Sequence, residues 1–97
     1  MQVKLIDFTA RWCPPCRAMK PVLEALAKEY GGRLEIAEID VDDDRASAAR
    51  YDVRSMPTFV IERDGREVGR TIGARPRAFL AGMIERALAG DASITSP

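Results

Sequence analysis

A strand, a helix and a second strand are predicted in succession at the start of the chain, and this order limits the possible folds more than any other feature. Residues 3–8 are mostly apolar, which indicates a central strand covered on both faces. Residues 15–30 repeat apolar side chains at helical spacing, with Pro21 expected to kink the helix, and residues 34–41 form the second strand. Because a crossover through a helix makes its two strands parallel, the segment predicts a right-handed βαβ unit.

The C-terminal half predicts a helix, a β-hairpin and a final helix. Asp64-Gly65 is a strong hairpin turn between two β-rich runs, so this half of the sheet is expected to be antiparallel. The fold class is therefore α/β, with three α/β/α layers around a mixed four-stranded sheet, in which a ββα unit follows the βαβ unit. The predicted elements are a short helix at 45–51, strands at 58–62 and 67–72, and a helix whose apolar stripe spans 79–88 and which ends at Gly90.

Composition and charge narrow the class of protein. The 97 residues suffice for one domain, which we place at residues 1–90 with a polar tail at 91–97. The 15 Lys and Arg are balanced by 15 Asp and Glu, so the chain lacks the net positive charge that would indicate nucleic-acid binding. No apolar run approaches the roughly 20 residues of a membrane span, and no secretory signal is visible. We expect a cytoplasmic protein with no nucleic-acid or membrane partner.

The only two cysteines lie in the motif Trp-Cys-Pro-Pro-Cys at residues 12–16, between the first strand and the helix. There a Cys-x-x-Cys pair can open and close a disulfide with little backbone movement, and a helix N-terminus favours the thiolate of Cys13. A structural zinc site needs four N or S ligands, whereas the chain has no histidine and no third cysteine. Zinc shared between two chains and a purely structural disulfide are the alternatives to redox chemistry.

Acidic residues cluster at positions 40 and 42–44, which raises the question of a calcium loop. Counted from Asp40, the sixth position is Arg45 and not glycine, and the twelfth is Tyr51 and not glutamate, so an EF-hand is excluded. Capping of the following helix is a sufficient explanation for the cluster.

A wider pattern joins the cysteine motif to segments elsewhere in the chain. Its parts are Leu5-Ile6-Asp7-Phe8, Trp12-Cys13-Pro14-Pro15-Cys16, Pro21, Met56-Pro57-Thr58 and Ile72-Gly73-Ala74. In order and approximate spacing these segments resemble the thioredoxin family, and the resemblance extends over residues 3–88. It implies a thioredoxin-like fold and thiol–disulfide exchange, with no bound cofactor beyond a redox-active Cys13-Cys16 disulfide.

The resemblance implies a role for three residues in catalysis. Cys13 would be the exposed nucleophile that attacks a target disulfide, and the more buried Cys16 would resolve the mixed disulfide. Asp7 resembles the buried aspartate of the family, which accepts the proton of the resolving cysteine directly or through water. A solvated aspartate at a strand end is the alternative for Asp7, since carboxylates are mostly exposed.

The resemblance also implies a surface for binding the substrate. Trp12 would shield the disulfide and contact partners, unless it is an ordinary half-buried core residue. Met56 and Pro57 resemble the cis-proline loop of the family, where the Met56 backbone is free to pair with an extended substrate; an ordinary trans proline is the alternative. Gly73 would allow a partner backbone to approach closely, although a glycine at a strand end is commonly a turn or bulge.

The chain also departs from the family. It starts almost at the strand of residues 3–8, without the strand and helix that usually precede it, which predicts one less covered edge or face and lower stability or some dimerisation. Thr9 stands where a tryptophan is common. Ile36 stands where a lysine often neighbours the buried aspartate, so the protonated form of Asp7 should be favoured. Pro14 replaces a glycine, which stiffens the loop but removes an amide donor near Cys13.

We interpret the sequence as an enzyme, a thioredoxin-like protein-disulfide reductase. Its partners would be disulfide-containing target proteins and a flavin- and NADPH-dependent thioredoxin reductase, or an equivalent electron donor, and we expect it to be a monomer. One alternative is an exported reductase for apocytochrome or envelope thiols, because the Trp-Cys-Pro-Pro-Cys motif also resembles that branch. The other is a thioredoxin-fold binding module whose cysteines are idle.

Overall fold

The central strand of the protein is β1, which lies between a parallel and an antiparallel neighbour. The computed structural model describes residues 2–90, and the polar tail expected at 91–97 lies outside this range. The strands have the order β2-β1-β3-β4, with β1 and β2 parallel and the other pairs antiparallel. The elements are β1 (Val3–Thr9), α1 (Pro14–Ala18), α2 (Lys20–Tyr30), a 3-10 turn (Gly31–Arg33), β2 (Glu35–Asp40), α3 (Arg45–Arg50), β3 (Thr58–Arg63), β4 (Arg66–Ile72) and α4 (Arg77–Leu88). The predicted mixed four-stranded sheet is confirmed.

The predicted single helix at residues 15–30 is wrong, because Met19 separates α1 from α2. Pro21 has no amide hydrogen with which to continue the helical ladder, and its ring crowds the preceding turn. The Met19 amide bonds to the carbonyl oxygen of Cys16, and its own carbonyl accepts the amide of Leu23. Pro21 therefore interrupts the helix after α1, where a kink within one continuous helix was expected.

The two faces of the sheet are covered unequally. The larger core lies between the sheet and the two long helices, α2 and α4, and it includes Leu5, Phe59 and Leu80. A smaller cluster around Ile6 and Phe8 lies on the other face, where Tyr51 and Val53 of the segment after α3 pack against it. Since residues alternate between the faces of a strand, Leu5 and Asp7 point towards the larger core. The three-layer α/β/α architecture is confirmed.

The start of α3 and the turn between β3 and β4 are formed by residues that favour these local structures. Asp44 is the N-cap of α3, where its carboxylate accepts the Ser47 amide at 3.0 Å and the Ser47 hydroxyl at 2.7 Å. Between β3 and β4, Asp64 and Gly65 have φ values of 53° and 82°, as a tight two-residue hairpin requires. The predicted N-cap and hairpin turn are both confirmed.

Candidate active site

Cys13 and Cys16 form a disulfide at the point where β1 leads into α1. Cys13 is the N-cap of α1 in an extended conformation, and the Cα atoms of the two cysteines are 5.3 Å apart. The Cys13 sulfur also accepts the Cys16 amide at 3.3 Å. Because the two residues occupy the same turn, the sulfurs can separate and rejoin without rearranging the sheet. The arrangement provides a dithiol–disulfide pair held at the end of a rigid strand.

Cys13 is more buried in the disulfide than the sequence predicted. In this closed form Cys13 is 4% exposed and Cys16 is 2% exposed, so the expectation of an exposed nucleophile is wrong for the disulfide state. Both cysteines pack with Ala10, and the partly buried Val41 and Met56 lie against them. These side chains come from three separate segments, and sequence spacing alone could not show that they converge on the sulfurs.

Asp7 is a fully buried carboxylate on the same strand that ends at the disulfide. It is 1% exposed, which rules out the alternative of a solvated strand end, and its Oδ1 has no hydrogen-bond partner within residues 2–90. Burial raises the pKa of Asp7 to about 7, and the negative charge of Glu38 adds to this effect while Lys20 opposes it. The carboxyl group therefore gains and loses a proton near neutral pH.

The neighbour of Asp7 on β2 is Glu38, and the expectation that Ile36 stands at this place is wrong. The parallel register pairs Asp7 with Glu38 and Ile36 with Leu5. Moreover, the positive charge that acts on Asp7 comes from Lys20 on α2. Strand register is set by pairing in three dimensions. The sequence therefore did not show that the residue opposite Asp7 lies two positions beyond Ile36 on β2.

A loop before β3 faces the disulfide. The Met56–Pro57 peptide bond is cis, as the resemblance implied, and the Met56 carbonyl oxygen lies 3.7 Å from the Cys13 sulfur. The Pro57 carbonyl oxygen accepts the Gly73 amide at 2.8 Å, which ties this loop to the end of β4. Gly73 has a φ of 95°, so its backbone conformation itself requires glycine, and a Cβ there would meet no atom within 4 Å. The space beside Gly73 is open.

Trp12 lies on the surface beside the disulfide, with 62% of its area exposed, and is not a core residue. Its indole Nε1 donates to Asp42 Oδ2 at 2.8 Å. The preceding Arg11 donates to both carboxylate oxygens of Asp43 at 2.9 Å. Sequence reasoning missed these roles of Asp42 and Asp43, because parallel pairing of β1 and β2 alone brings residues 30 positions apart to the same end of the sheet.

The described residues offer no group of three or more His, Cys, Asp or Glu side chains that could hold a metal ion. The aspartates at positions 42–44 have separate partners: Trp12, Arg11 and Ser47. Cys13 and Cys16 are bonded to each other. The geometry of the cysteine pair is thus that of a disulfide.

A disulfide at a strand–helix junction, opposed by a cis-proline loop and preceded by a strand that carries a buried carboxyl group, defines the class of dithiol–disulfide proteins with a thioredoxin fold. Comparison with known proteins agrees, since the thioredoxin family model matches residues 1–86. A thioredoxin from Staphylococcus epidermidis is 43% identical over 86 residues, which cover 89% of this chain and 83% of that protein. The chain belongs to the thioredoxin family.

Solved structures give the same result. The X-ray structure of Fasciola hepatica thioredoxin has a TM-score of 0.83 at 45% identity, covering 89% of this chain and 81% of that one. A mutant thioredoxin from Halobacterium salinarum has a TM-score of 0.84 at 39% identity, covering 90% and 75% of the two chains. With its Cys13-Cys16 pair, this family member is a thiol–disulfide oxidoreductase with protein-disulfide reductase activity. No helix among residues 2–90 is long and apolar enough to cross a membrane.

Proposed function

We propose that this oxidoreductase reduces disulfide bonds of other proteins, with Cys13 as nucleophile, Cys16 as resolving thiol and Asp7 as general base. The observation that carries the proposal is the Cys13-Cys16 disulfide within the first turn of α1, next to the Met56 carbonyl. This arrangement places the Cys13 sulfur beside the backbone that we propose binds the substrate, and Cys16 is the less exposed of the two cysteines.

The reaction proceeds in two exchanges. In the reduced protein, Cys13 loses its proton and its sulfur attacks one sulfur of the target disulfide; the target S–S bond breaks, and the second target sulfur leaves as a thiolate that takes up a proton. Cys16 then transfers its proton to Asp7, directly or through water, and attacks the Cys13 sulfur. The mixed disulfide breaks, and the target sulfur that Cys13 had attacked leaves as a thiolate and takes up a proton. The target is then fully reduced, and the Cys13-Cys16 disulfide has re-formed.

Asp7 suits the role of base because its pKa of about 7 allows it to accept a proton and release it again near neutral pH. A carboxylate with an ordinary pKa near 4 would be a weaker acceptor for a thiol proton. Asp7 is also almost fully buried, so bulk solvent has little access to its carboxyl group.

The substrate-binding surface consists of Trp12, Met56, Pro57 and Gly73. The Met56 backbone supplies hydrogen-bonding groups beside the Cys13 sulfur, so an extended target segment can pair with it as an added strand. The exposed indole of Trp12 provides apolar contact area, and the open space at Gly73 admits the backbone of the target. Together these features favour an extended polypeptide as the substrate.

The supply of electrons, the location and the oligomeric state form part of the same proposal. A flavin- and NADPH-dependent thioredoxin reductase, or an equivalent donor, returns the Cys13-Cys16 disulfide to the dithiol, and the chain itself needs no bound cofactor. The protein acts in the cytoplasm as a monomer. Charged side chains along both edge strands of the described sheet, among them Glu35 and Glu38 on β2 and Arg66 and Glu67 on β4, support the monomer because they disfavour edge-to-edge pairing.

An insulin-reduction assay with two matched cysteine variants tests the proposal. Cys13→Ser and Cys16→Ser should both lose turnover, but only Cys16→Ser should accumulate a mixed disulfide with the target, because it retains the nucleophile and lacks the resolving thiol. Mass spectrometry of the trapped adduct identifies the attacking sulfur. Equal, negligible activity of the wild type and both variants would instead favour a binding module with idle cysteines.

The direction of the reaction depends on the redox potential, which the loop at Pro14-Pro15 influences. We expect a reductant, because Asp7 is present and no polar side chain lies between the cysteines. Equilibration with mixtures of reduced and oxidised glutathione, followed by quantification of the two forms, measures the potential. A value close to that of strongly oxidising disulfide donors would contradict the role as a reductase.

A further inference from the structure

The four methionines of the chain differ in their access to solvent. Met19 and Met83 are 3% and 1% exposed and belong to the larger core, and Met1 lies outside the described residues 2–90. Met56 is only partly buried, and it directly follows the exposed Ser55. Within the part of the chain that the structure describes, Met56 is therefore the methionine that a dissolved reagent reaches first.

Met56 also packs against the active-site disulfide. It lies against the cluster of Ala10, Cys13 and Cys16, as does the partly buried Val41. Its carbonyl oxygen is 3.7 Å from the Cys13 sulfur. Since the two cysteines are 4% and 2% exposed, Met56 contributes the more accessible sulfur of this site in the disulfide state.

A thioether in this position can be oxidised by a peroxide. The sulfur attacks one peroxide oxygen, the O–O bond breaks, and an S–O bond forms. The proton on the transferred oxygen passes to the oxygen that leaves, so hydrogen peroxide yields water. The sulfur loses two electrons, and the peroxide gains them. While Cys13 and Cys16 are bonded to each other, no thiolate competes with Met56 for the oxidant.

The backbone on both sides of Met56 is held in place. The Ser55 carbonyl oxygen accepts the Thr58 hydroxyl at 2.7 Å, and the Pro57 carbonyl oxygen accepts the Gly73 amide at 2.8 Å. The side chain of Met56, and not the loop, must therefore accommodate a sulfoxide. Its polar oxygen would lose hydrogen bonds to water among the apolar neighbours of the disulfide. The oxidised side chain should accordingly turn outwards, onto the surface that we propose binds the target.

We propose that Met56 is a site of reversible oxidation, and that its conversion to methionine sulfoxide weakens the binding of target proteins. The inference rests on the proposed substrate-binding surface and adds a means of regulating it. A peroxide would modify the protein mainly in its disulfide form. A methionine sulfoxide reductase would remove the oxygen and restore the apolar side chain.

Peptide mapping by mass spectrometry tests the site of oxidation. The protein in its disulfide form is treated with hydrogen peroxide, and the fraction of each methionine that carries an added oxygen atom is followed over time. Met56 should be oxidised about tenfold faster than Met19 and Met83, because access to the sulfur governs the rate. Oxidation of Met56 no faster than that of the two buried methionines would overturn the proposal. This measurement does not depend on activity.

Insulin reduction before and after the peroxide treatment tests the consequence. The rate of the wild type at low insulin concentration should fall about three- to tenfold, as the loss of one apolar contact predicts, and should recover after reduction of both sulfoxide epimers. Met56→Leu retains an apolar side chain that peroxide does not oxidise, so the treatment should leave its own rate unchanged. The matched control Met83→Leu retains Met56 and should lose activity as the wild type does.

The outcomes separate this inference from the proposed function. A wild-type rate that the treatment leaves unchanged, or an equal fractional loss in Met56→Leu, would overturn the effect on target binding. A protein that reduces no insulin before any treatment would instead contradict the proposed function. The peptide map would in that case still decide whether Met56 is the oxidised residue.

Discussion

At the scale of single residues, Asp7 is the clearest conflict between stability and chemistry. Its carboxyl group is buried in the larger core, where the charged form is disfavoured, and its Oδ1 has no partner among the described residues. In the folded protein its pKa is about 7, whereas the ordinary value is 3.8. Ionisation of Asp7 therefore destabilises the fold while it supplies the base that the proposed reaction uses.

Asp7→Asn should accordingly stabilise the protein above neutral pH. Because the folded-state pKa is raised, the wild type loses stability as the pH increases from about 4 to 7, and asparagine removes this loss. The gain in the free energy of unfolding should reach up to about 4 kcal/mol at pH 8 and be smaller at pH 5. Urea unfolding at the two pH values measures it.

The matched control is Asp52→Asn, at an exposed position whose positive φ asparagine tolerates. This variant should show no gain that grows with pH. An Asp7→Asn protein with the same stability difference at pH 5 and pH 8 would contradict a raised pKa in the folded state. Slower turnover of Asp7→Asn in the insulin assay is expected in addition.

At the scale of secondary-structure elements, single residues decide where helices begin and end. Pro21 interrupts the predicted helix after α1, and the short α1 that remains has the disulfide in its first turn. Asp44 begins α3, and Tyr51 and Val53, which follow that helix, pack against the smaller core. The strands and most helix ends were predictable because they follow local rules of spacing, capping and turns.

Asp44→Ala should lower the melting temperature by a few degrees, because it leaves the Ser47 amide at the start of α3 without its acceptor. Asp44→Asn is the conservative control, since asparagine also caps helices and should retain most of the stability. Thermal unfolding followed by circular dichroism compares the two. Equal melting temperatures for Asp44→Ala and the wild type would show that the cap contributes little.

At the scale of the whole molecule, the two faces of the sheet meet their surroundings differently. One face is buried under α2 and α4, whereas polar contacts border the smaller core on the other face. There the Tyr51 hydroxyl donates to Glu62 at 2.6 Å. The Arg70 guanidinium donates to Glu67 at 2.7 Å and to the Tyr51 carbonyl oxygen at 2.9 Å. The Glu62 hydrogen bond, with burial, raises the pKa of Tyr51.

The larger core should therefore dominate stability. Leu80, on α4, is fully buried in it, and Leu80→Ala should cost about 2–5 kcal/mol in the free energy of unfolding through lost contacts and the cavity that remains. Ile72→Ala removes a similar aliphatic side chain that is 54% exposed, and it should cost much less. Chemical denaturation of both variants measures the difference; equal costs would contradict the assignment of the dominant core.

The sequence by itself determined the order of strands and helices, the mixed sheet and the position of the cysteine pair, because each depends on local periodicity, turn residues or a short motif. Only the tertiary structure decided what surrounds these residues. Strand register places Glu38 and not Ile36 opposite Asp7, and packing of three segments buries Cys13. Likewise, the contact of Trp12 with Asp42 joins residues far apart in the chain. Such contacts arise from strand pairing and side-chain packing across the fold, which no local pattern encodes.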